Sequence, residues 1–182
     1  SGQCCGQRIE DTGSLYLITA DAYWRSGKLI DHKEKADIAV KTAEEAGQKV
    51  DKVLIWQRYP GRNSSSTPMV EGRDEIINDL LKDYAGRRVE PVAMNAEAPL
   101  FLMYSSGTTG KPKGCQHRTG GYLAYVAGTA QYIPDIHPED TYWCMADIGW
   151  IPGPSSIVSA PLAPAATRVL YAGTPSYPAA PR

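Results

Sequence analysis

The residues best suited to chemistry lie in one short segment, which reads YSSGTTGKPKG from Tyr104 to Gly114. Its three glycines allow the backbone to approach an anion closely and to adopt positive φ angles. Four hydroxyl side chains between Ser105 and Thr109 add hydrogen-bond donors, and two lysines add positive charge. Successive backbone N–H groups in such a turn form a concave anion site. The segment therefore predicts a loop that binds a polyphosphate.

The loop follows an apolar run, Pro99 to Tyr104, that predicts a buried strand leading into it. The loop is not a Walker A loop, because that motif requires G-x-x-x-x-G-K-(S/T). Only two residues separate Gly107 from Gly110, and Pro112 follows Lys111 where the Walker motif has Ser or Thr. This spacing argues against a P-loop NTPase. On residue types alone, an ordinary exposed polar loop between two strands stays open as the alternative.

Length and charge restrict the class of protein. A chain of 182 residues makes one domain or part of a larger one, and a net charge of −1 gives little support to nucleic-acid binding. No apolar run approaches the roughly 20 residues that span a bilayer, and the N-terminal sequence lacks a signal-peptide pattern. The four cysteines form neither a C-x-x-C pair nor a zinc-type cluster. We therefore expect a cytoplasmic protein with reduced thiols, which binds neither nucleic acid nor membrane.

The first half of the chain alternates strand and helix patterns, which is typical of a parallel α/β sheet. Residues 15–20 and 50–57 are apolar and predict buried strands. Between them, residues 31–46 predict a helix with Asp31 as its N-cap and its charges on a solvated face. A glycine, Gly13, predicts the end of an earlier helix. A polar loop over residues 58–72 then precedes an amphipathic helix over 73–84.

The second half predicts strands at 113–117, 141–146 and 167–171, with helices at 119–132 and 156–163. Ligands of α/β sheets gather at the carboxyl ends of strands, so residues 147–153 form a second candidate binding segment. His117 lies between a strand and a helix, where a structural role is favoured over contact with a substrate.

A pair of cations lies in the segment that joins the first predicted strand to the helix at 31–46. This segment, DAYWRSGKLI over residues 21–30, predicts a loop in which Arg25 and Lys28 flank a Ser-Gly turn. Two cations so close together are suited to a phosphate group. A solvated surface loop is the alternative on these residues alone.

Every position from Ser105 to Gly114 fits the pattern (S/T)-(S/G)-G-(S/T)-T-G-x-P-K-G. In this pattern the segment resembles the phosphate loop of the adenylate-forming superfamily. Further stretches, CQHRTGGYL, YWCMADIGW and YAGTPSYP, are similar to AMP-forming acetyl-CoA synthetases. The resemblance runs from about Arg8 to Arg182. It implies an α/β fold, part of the N-terminal AMP-binding domain, with a parallel or mixed sheet flanked by helices. It also implies that the ATP phosphates are held by Ser105, Ser106, Gly107, Thr108, Thr109, Gly110 and Lys111.

The same resemblance implies two further sets of site residues. Coenzyme A is expected at Arg25, Ser26, Gly27, Lys28, Pro152 and Ser176, and the acyl group at Trp150, Ile151 and Pro152. Several residues depart from the pattern: Pro152 stands in place of Thr, Pro154 in place of His, Ser156 and Ser159 in place of Tyr, Ala160 in place of Gly, and Pro164-Ala165 in place of an Asn-Gly-like pair. A proline removes a backbone donor and fixes φ. These changes put acetate specificity and competence in question.

The resemblance implies an acetate–CoA ligase that uses ATP, Mg²⁺ and coenzyme A. The adenine and ribose motifs, the Mg²⁺ ligands, the catalytic adenylation lysine and the C-terminal domain are expected beyond Arg182, so we expect this chain alone not to turn over. The oligomeric state is open. The alternatives are a non-catalytic remnant or binding module of the same fold, and a related synthetase for another short acid such as propionate.

Overall fold

Two apolar strands joined by a helix form the centre of the first of two units into which the chain divides. In the computed structural model, residues 1–58, 68–105, 112–171 and 173 are described. The first unit is built chiefly from Ser1–Val89, and the second from Glu90–Ala172. In the described residues, no helix is both long and apolar enough to cross a membrane.

The first unit contains a three-stranded parallel sheet, whose strands lie in the order β1 (Tyr16–Ala20), β4 (Lys52–Trp56) and β5 (Asp74–Ile76). It also contains a separate two-stranded hairpin of β2 (Ala22–Arg25) and β3 (Lys28–Asp31). Leu17 lies beside Val53, and Ile55 beside Ile76, in the register of the parallel sheet. The elements of this unit in chain order are α1 (Gly2–Thr12), β1 (Tyr16–Ala20), β2 (Ala22–Arg25), β3 (Lys28–Asp31), α2 (His32–Glu45), β4 (Lys52–Trp56), β5 (Asp74–Ile76) and α3 (Ile77–Asp83).

One face of this sheet is covered by α1 and α2. The core between them consists of buried aliphatic residues, namely Ile9, Ala39, Val40, Ala43, Val50, Val53 and Ile55. The helices approach closely because α1 carries glycine at two positions one turn apart. A Cβ on Gly6 would lie 2.5 Å from the Ala39 carbonyl oxygen. On the opposite face of the sheet, Tyr16, Ile18 and Trp56 are exposed.

Both predicted helix caps in this unit are confirmed. The Asp31 carboxylate accepts a hydrogen bond of 2.9 Å from the Glu34 N–H, which satisfies one of the free donors at the start of α2. Gly13 adopts a left-handed conformation, with φ of 63°, and its N–H closes the end of α1.

In the second unit, β6 (Pro99–Ser105) and β7 (Lys113–Arg118) pair as an antiparallel ribbon. Helix α4 (Thr119–Tyr132) packs against residues between 136 and 166, which follow it in the chain. Its core consists of Tyr122, Val126, Ala130, Ile136, Ala160 and Ala166. The elements are β6 (Pro99–Ser105), β7 (Lys113–Arg118), α4 (Thr119–Tyr132), β8 (Thr141–Tyr142), a π-helix (Gly153–Ser159), α5 (Ala160–Leu162) and β9 (Thr167–Arg168). Strands β8 and β9 pair in parallel.

The α/β class is confirmed, with the predicted strands on both sides of α2 and with α4 at its predicted bounds. Four details of the prediction are wrong. Residues 21–30 form a hairpin rather than a loop, and the helix predicted at 73–84 begins as strand β5. Strand β6 is largely exposed. The strands predicted at 141–146 and 167–171 pair with each other over only two residues each, Thr141–Tyr142 and Thr167–Arg168.

Candidate phosphate-binding segments

The hairpin β2-β3 carries the cation pair that was expected to contact phosphate. Ser26 and Gly27 form its two-residue turn, with φ angles of 49° and 75°. Positive φ at both central positions is the geometry of a type I′ turn, which matches the twist of the flanking strands. Glycine adopts this conformation without strain, whereas Ser26 does so at some cost. The turn therefore fixes the direction in which the two flanking cations project.

Arg25 and Lys28 are directly opposite each other in the last pair before this turn. Side chains of directly opposed residues lie on the same face of a hairpin, and two like charges in that arrangement repel. Both residues are exposed, and in the described residues Lys28 forms no ion pair. The hairpin therefore presents two positive charges side by side next to its turn.

The base of the hairpin is fixed at Asp21, a buried residue that the sequence analysis did not single out. Its backbone oxygen accepts hydrogen bonds from the N–H groups of His32, at 2.9 Å, and Lys33, at 3.0 Å. Its Oδ1 accepts bonds from the N–H groups of Ala22, at 2.6 Å, and Arg58, at 3.2 Å. The only sequence signal was a carboxylate at the carboxyl end of an apolar strand.

Lys33, at the start of α2, belongs to a buried ionic network and not to the solvated face that the sequence predicted. Its Nζ lies 2.7 Å from Asp37 and 2.9 Å from Asp74, and it donates to the Pro68 carbonyl at 3.2 Å. Arg73 completes the network through contacts with both carboxylates. The network joins the first turns of α2 to the segment that leads into β5.

The Asp74 carboxylate is held ionised in this network. Burial by itself raises its pKa, but hydrogen bonds from Arg73, Lys33 and the Val70 N–H outweigh burial and hold the pKa below its ordinary value. These bonds satisfy the carboxylate oxygens, which a buried charge requires. The helix that follows the cationic hairpin is thus tied to the edge of the sheet.

Both ends of the predicted ATP phosphate loop are described. Ser105 ends β6 and pairs with Lys113 of β7, and Tyr104 pairs with Gly114. A Cβ on Gly114 would lie 3.2 Å from the Tyr104 ring, so the ring packs against this glycine. The ribbon brings the two ends of the loop together. Its remaining predicted residues, Ser106, Gly107, Thr108, Thr109, Gly110 and Lys111, lie outside the described residues.

The residues predicted for the acyl pocket form a turn before the π-helix. The Gly153 N–H donates to the Trp150 carbonyl at 2.8 Å, so the chain reverses across Ile151 and Pro152. The Trp150 side chain is 72% exposed and Ile151 is also exposed, whereas Pro152 is half-buried. Gly153 is required here, because a Cβ would collide with the Ile148 carbonyl group. Ser176, predicted for coenzyme A, lies outside the described residues.

His117 belongs to an aromatic cluster. Its ring stacks on Phe101 at 4.7 Å and meets the Tyr122 ring at 5.5 Å, between ring centroids. The Tyr122 hydroxyl lies 2.9 Å from the Ser155 hydroxyl in the π-helix. The cluster therefore connects the ribbon, α4 and the segment after Trp150. This packing agrees with the structural role that the sequence analysis favoured for His117.

An open depression of about 440 Å³ lies at the carboxyl ends of β1 and β4. It is lined by Ile18, Thr19, Ala20, His32, Trp56, Ile77 and Leu81. Burial, together with the nearby Lys35 charge, lowers the pKa of His32, so its imidazole is neutral at pH 7. The sequence analysis did not predict this depression, whose lining residues come from four separate elements, β1, α2, β4 and α3.

In the described parts of the chain, no group of three His, Cys, Asp or Glu side chains is arranged to hold a metal ion. The four cysteines are all free thiols.

Comparison with known proteins gives one consistent result. The family of AMP-binding enzymes matches residues 3–182. The acetyl-coenzyme A synthetase of Marinobacter nauticus is 44% identical over 178 residues, and that of Pyrobaculum aerophilum is 40% identical over 179. Each alignment covers 98% of this chain and 26% of the relative, so the chain spans about a quarter of the length of these proteins.

A solved structure agrees with the sequence comparison. The acetoacetyl-CoA synthetase from Streptomyces lividans superimposes with a TM-score of 0.75 at 25% sequence identity. The superposition covers 98% of this chain and 25% of that protein. The predicted fold class is thereby confirmed for nearly the whole chain.

Proposed function

The chain belongs to the family of AMP-binding enzymes, and on this premise we propose that it forms part of the N-terminal domain of an AMP-forming acetate–CoA ligase. Its share of the reaction is to hold the phosphates of ATP and of coenzyme A. The observation that carries the proposal is the cation pair Arg25 and Lys28, opposed beside a two-residue turn in a chain similar to acetyl-coenzyme A synthetases over 98% of its length.

The proposed reaction has two steps. An acetate oxygen attacks the α-phosphorus of ATP, which forms acetyl-AMP and releases pyrophosphate. The coenzyme A thiolate then attacks the acetyl carbon, which forms the thioester and releases AMP. Mg²⁺ would neutralise charge on the ATP phosphates. Because ATP and coenzyme A are cytoplasmic metabolites, the proposal places the protein in the cytoplasm.

The phosphate loop would act in the first step. Its backbone N–H groups, its hydroxyl side chains and the Lys111 ammonium would donate hydrogen bonds to the β- and γ-phosphates, and stabilise the charge that develops as pyrophosphate leaves. The pairing of Ser105 with Lys113 supports this role, because it holds the two ends of the loop together. Loops of this kind commonly close on their ligand.

The hairpin would act in the second step by binding the nucleotide phosphates of coenzyme A. Arg25 is suited to a bidentate contact with a phosphate, whereas Lys28 supplies a point charge. Ser26 and Gly27 add backbone N–H groups at the turn. The repulsion between the two cations would be relieved when the anion binds.

We assign the acyl pocket to Trp150, Ile151 and Pro152. An indole is a bulky wall, and volume is the main means of excluding longer acyl chains. Pro152 has neither the hydroxyl nor the N–H that a threonine would offer to coenzyme A. This observation favours a second candidate function, a non-catalytic module of the same fold, and also allows another short acid such as propionate.

The test is ATP–pyrophosphate exchange, measured on this chain and on the product of the complete gene with acetate or propionate. Acetate-dependent exchange in the complete product alone supports the ligase, with this chain as its phosphate-binding part. Exchange with propionate only would change the assigned substrate. Absence of exchange with both acids in a folded complete product would contradict the ligase and favour the non-catalytic module.

A further inference from the structure

We propose that Asp21 is a positioning residue that holds the cationic hairpin in the orientation needed for phosphate binding. The hairpin is defined here as residues 22–31, strands β2 and β3 with their turn. The identity of the bound phosphate as coenzyme A rests on the proposed function. The role of Asp21 in orienting the hairpin does not rest on the proposed function, and it has a test of its own.

Both ends of the hairpin converge on this one residue. The chain leaves the sheet at Asp21, whose N–H donates to the Trp56 carbonyl at 3.0 Å and so extends the pairing of β1 with β4. The chain enters α2 at His32 and Lys33, whose N–H groups both donate to the Asp21 carbonyl oxygen. Asp21 therefore links the start of β2 and the residues just after β3 to the parallel sheet through backbone hydrogen bonds.

The Asp21 side chain adds two further hydrogen bonds. Its Oδ1 accepts from the Ala22 N–H at 2.6 Å and from the Arg58 N–H at 3.2 Å. Ala22 is the first residue of the hairpin, and Arg58 follows β4, the central strand of the sheet. The side chain is almost fully buried, with 4% of the residue exposed. The carboxylate thus sets the angle at which β2 departs from the sheet.

The distance to the tip makes that angle important. Strand β2 has four residues, which at roughly 3.3 Å per residue puts the turn about 13 Å from the base. Asp21 therefore lies too far away to touch an anion held by Arg25 and Lys28, and it acts through them. A rotation of about 10° at the base would move the tip by about 2 Å, and a displacement of about 1 Å is enough to cost a hundredfold in a positioned reaction.

The first turn of α2, which follows the hairpin directly, is held by buried contacts. Lys33, whose N–H bonds to Asp21, is fixed at its ammonium by two carboxylates and the Pro68 carbonyl. Only 1% of Lys33 is exposed. Because these contacts anchor the first turn of α2, the angle of the hairpin depends chiefly on its other end, at the Asp21 carboxylate.

The test compares Asp21→Ala, which removes the acceptor, with Asp21→Asn, which retains an oxygen at the same place. Asp51→Ala is the matched control, because Asp51 precedes β4 at the end of the strand opposite to Arg58, and among the described residues its carboxylate forms an ion pair with Lys49 alone, at 2.7 Å. If Asp21→Ala does not fold, Asp21→Ser, which keeps a shorter oxygen acceptor, takes its place.

The first readout is the motion of the hairpin itself, without any ligand. Trp24 lies in β2 and is exposed, so 5-fluorotryptophan labelling gives it a ¹⁹F signal, assigned with Trp24→Phe. We expect Asp21→Ala to shift and broaden this signal and to leave those of Trp143 and Trp150 unchanged. Asp21→Asn and Asp51→Ala should retain the parent spectrum. An unaltered Trp24 signal in Asp21→Ala would overturn the proposal.

The second readout is coenzyme A binding by calorimetry, on the product of the complete gene. We expect Asp21→Ala to weaken the affinity about tenfold and Asp21→Asn to keep it within about twofold of the parent. The loss should be confined to coenzyme A, with ATP–pyrophosphate exchange serving as the measure of intact protein. Equal losses of binding and exchange would mean a merely structural role and would also overturn the proposal.

Arg25→Gln separates this inference from the proposed function. If Arg25→Gln leaves coenzyme A affinity unchanged, the hairpin is not the coenzyme A site and the ligand assignment fails. The Trp24 signal still decides the role of Asp21 in that case. If Arg25→Gln weakens binding and Asp21→Ala does not, the ligand assignment stands and the positioning role fails.

Discussion

The Lys33 ammonium lies 2.9 Å from an Asp74 carboxylate oxygen, although 41 residues separate the two in the chain. Both side chains are almost fully inaccessible to solvent. Such a pair contributes to the fold only while both partners are present, because either charge left alone would be buried without compensation. The pair therefore ties the start of α2, and with it the end of the hairpin, to β5.

Replacing Lys33 by methionine, which has a similar volume, should destabilise the chain by about 3 kcal/mol, because the Asp74 charge stays buried with one partner fewer. Lys41→Met is the control, since Lys41 lies on the exposed face of the same helix. The measurement is the free energy of unfolding in urea. Equal midpoints for the two variants would show that the buried pair contributes nothing.

Stability should depend on pH through Asp74. Its pKa in the folded chain is lowered, so the unfolded chain takes up a proton first as the pH falls. The stabilisation is present above the unfolded pKa of about 3.9 and is lost as the pH falls through the folded pKa. Urea unfolding between pH 6 and pH 2.5 should show a steeper loss below about pH 4 in the parent than in Asp74→Asn. Parallel curves would contradict this assignment.

Gly153→Ala should be strongly destabilising, because the added Cβ would collide with the Ile148 carbonyl and open the turn before the π-helix. Gly121→Ala provides the matched control within α4, where a Cβ would meet no atom within 4 Å. That control should raise stability by about 0.5–1 kcal/mol, since alanine loses less backbone entropy in a helix. Thermal unfolding of the two variants should therefore shift in opposite directions.

Tyr122→Phe removes the hydroxyl that bonds Ser155 while it keeps the ring against Phe101. We expect a loss of about 1 kcal/mol, the net value of one hydrogen bond. Tyr125→Phe, on the exposed side of α4, should have no effect. Hydrogen exchange should show faster opening of residues 153–159 in Tyr122→Phe alone, and uniform protection in both variants would argue against this link.

Lys28→Gln should stabilise the free chain slightly, by about 0.3–0.5 kcal/mol, because it removes the repulsion from the opposed Arg25. The same change should weaken coenzyme A binding. Lys41→Gln should do neither. Opposite effects on stability and affinity are typical of a residue kept for binding, whereas a loss in both would assign Lys28 a structural role.

The sequence predicted those elements whose signals are local. Helix α4 was predicted at its observed bounds, and Asp31 and Gly13 were identified as caps because capping depends on neighbouring residues. The hairpin was missed although its signal was present. Aromatic and branched residues flank a Ser-Gly turn there, but the two cations favoured a loop.

Features that depend on distant partners were not predictable. Lys33 has the sequence neighbours of a solvated lysine, and nothing near it indicates that Asp74 will bury it. Strands β8 and β9 pair over only two residues each, and an apolar run alone does not reveal how far such pairing extends. At the candidate site, the sequence predicted the cations but not Asp21, since a lone aspartate after a strand carries no specific signal.

The close packing of α1 on α2 has a consequence for the order of folding. Among the described residues, the core that these helices form with the sheet is built from positions between Cys5 and Ile55, and the glycines of α1 allow the close approach of the two helices. During synthesis, which proceeds from the N-terminus, the residues of this core and the cationic hairpin that lies between them in sequence are therefore all translated before the phosphate loop.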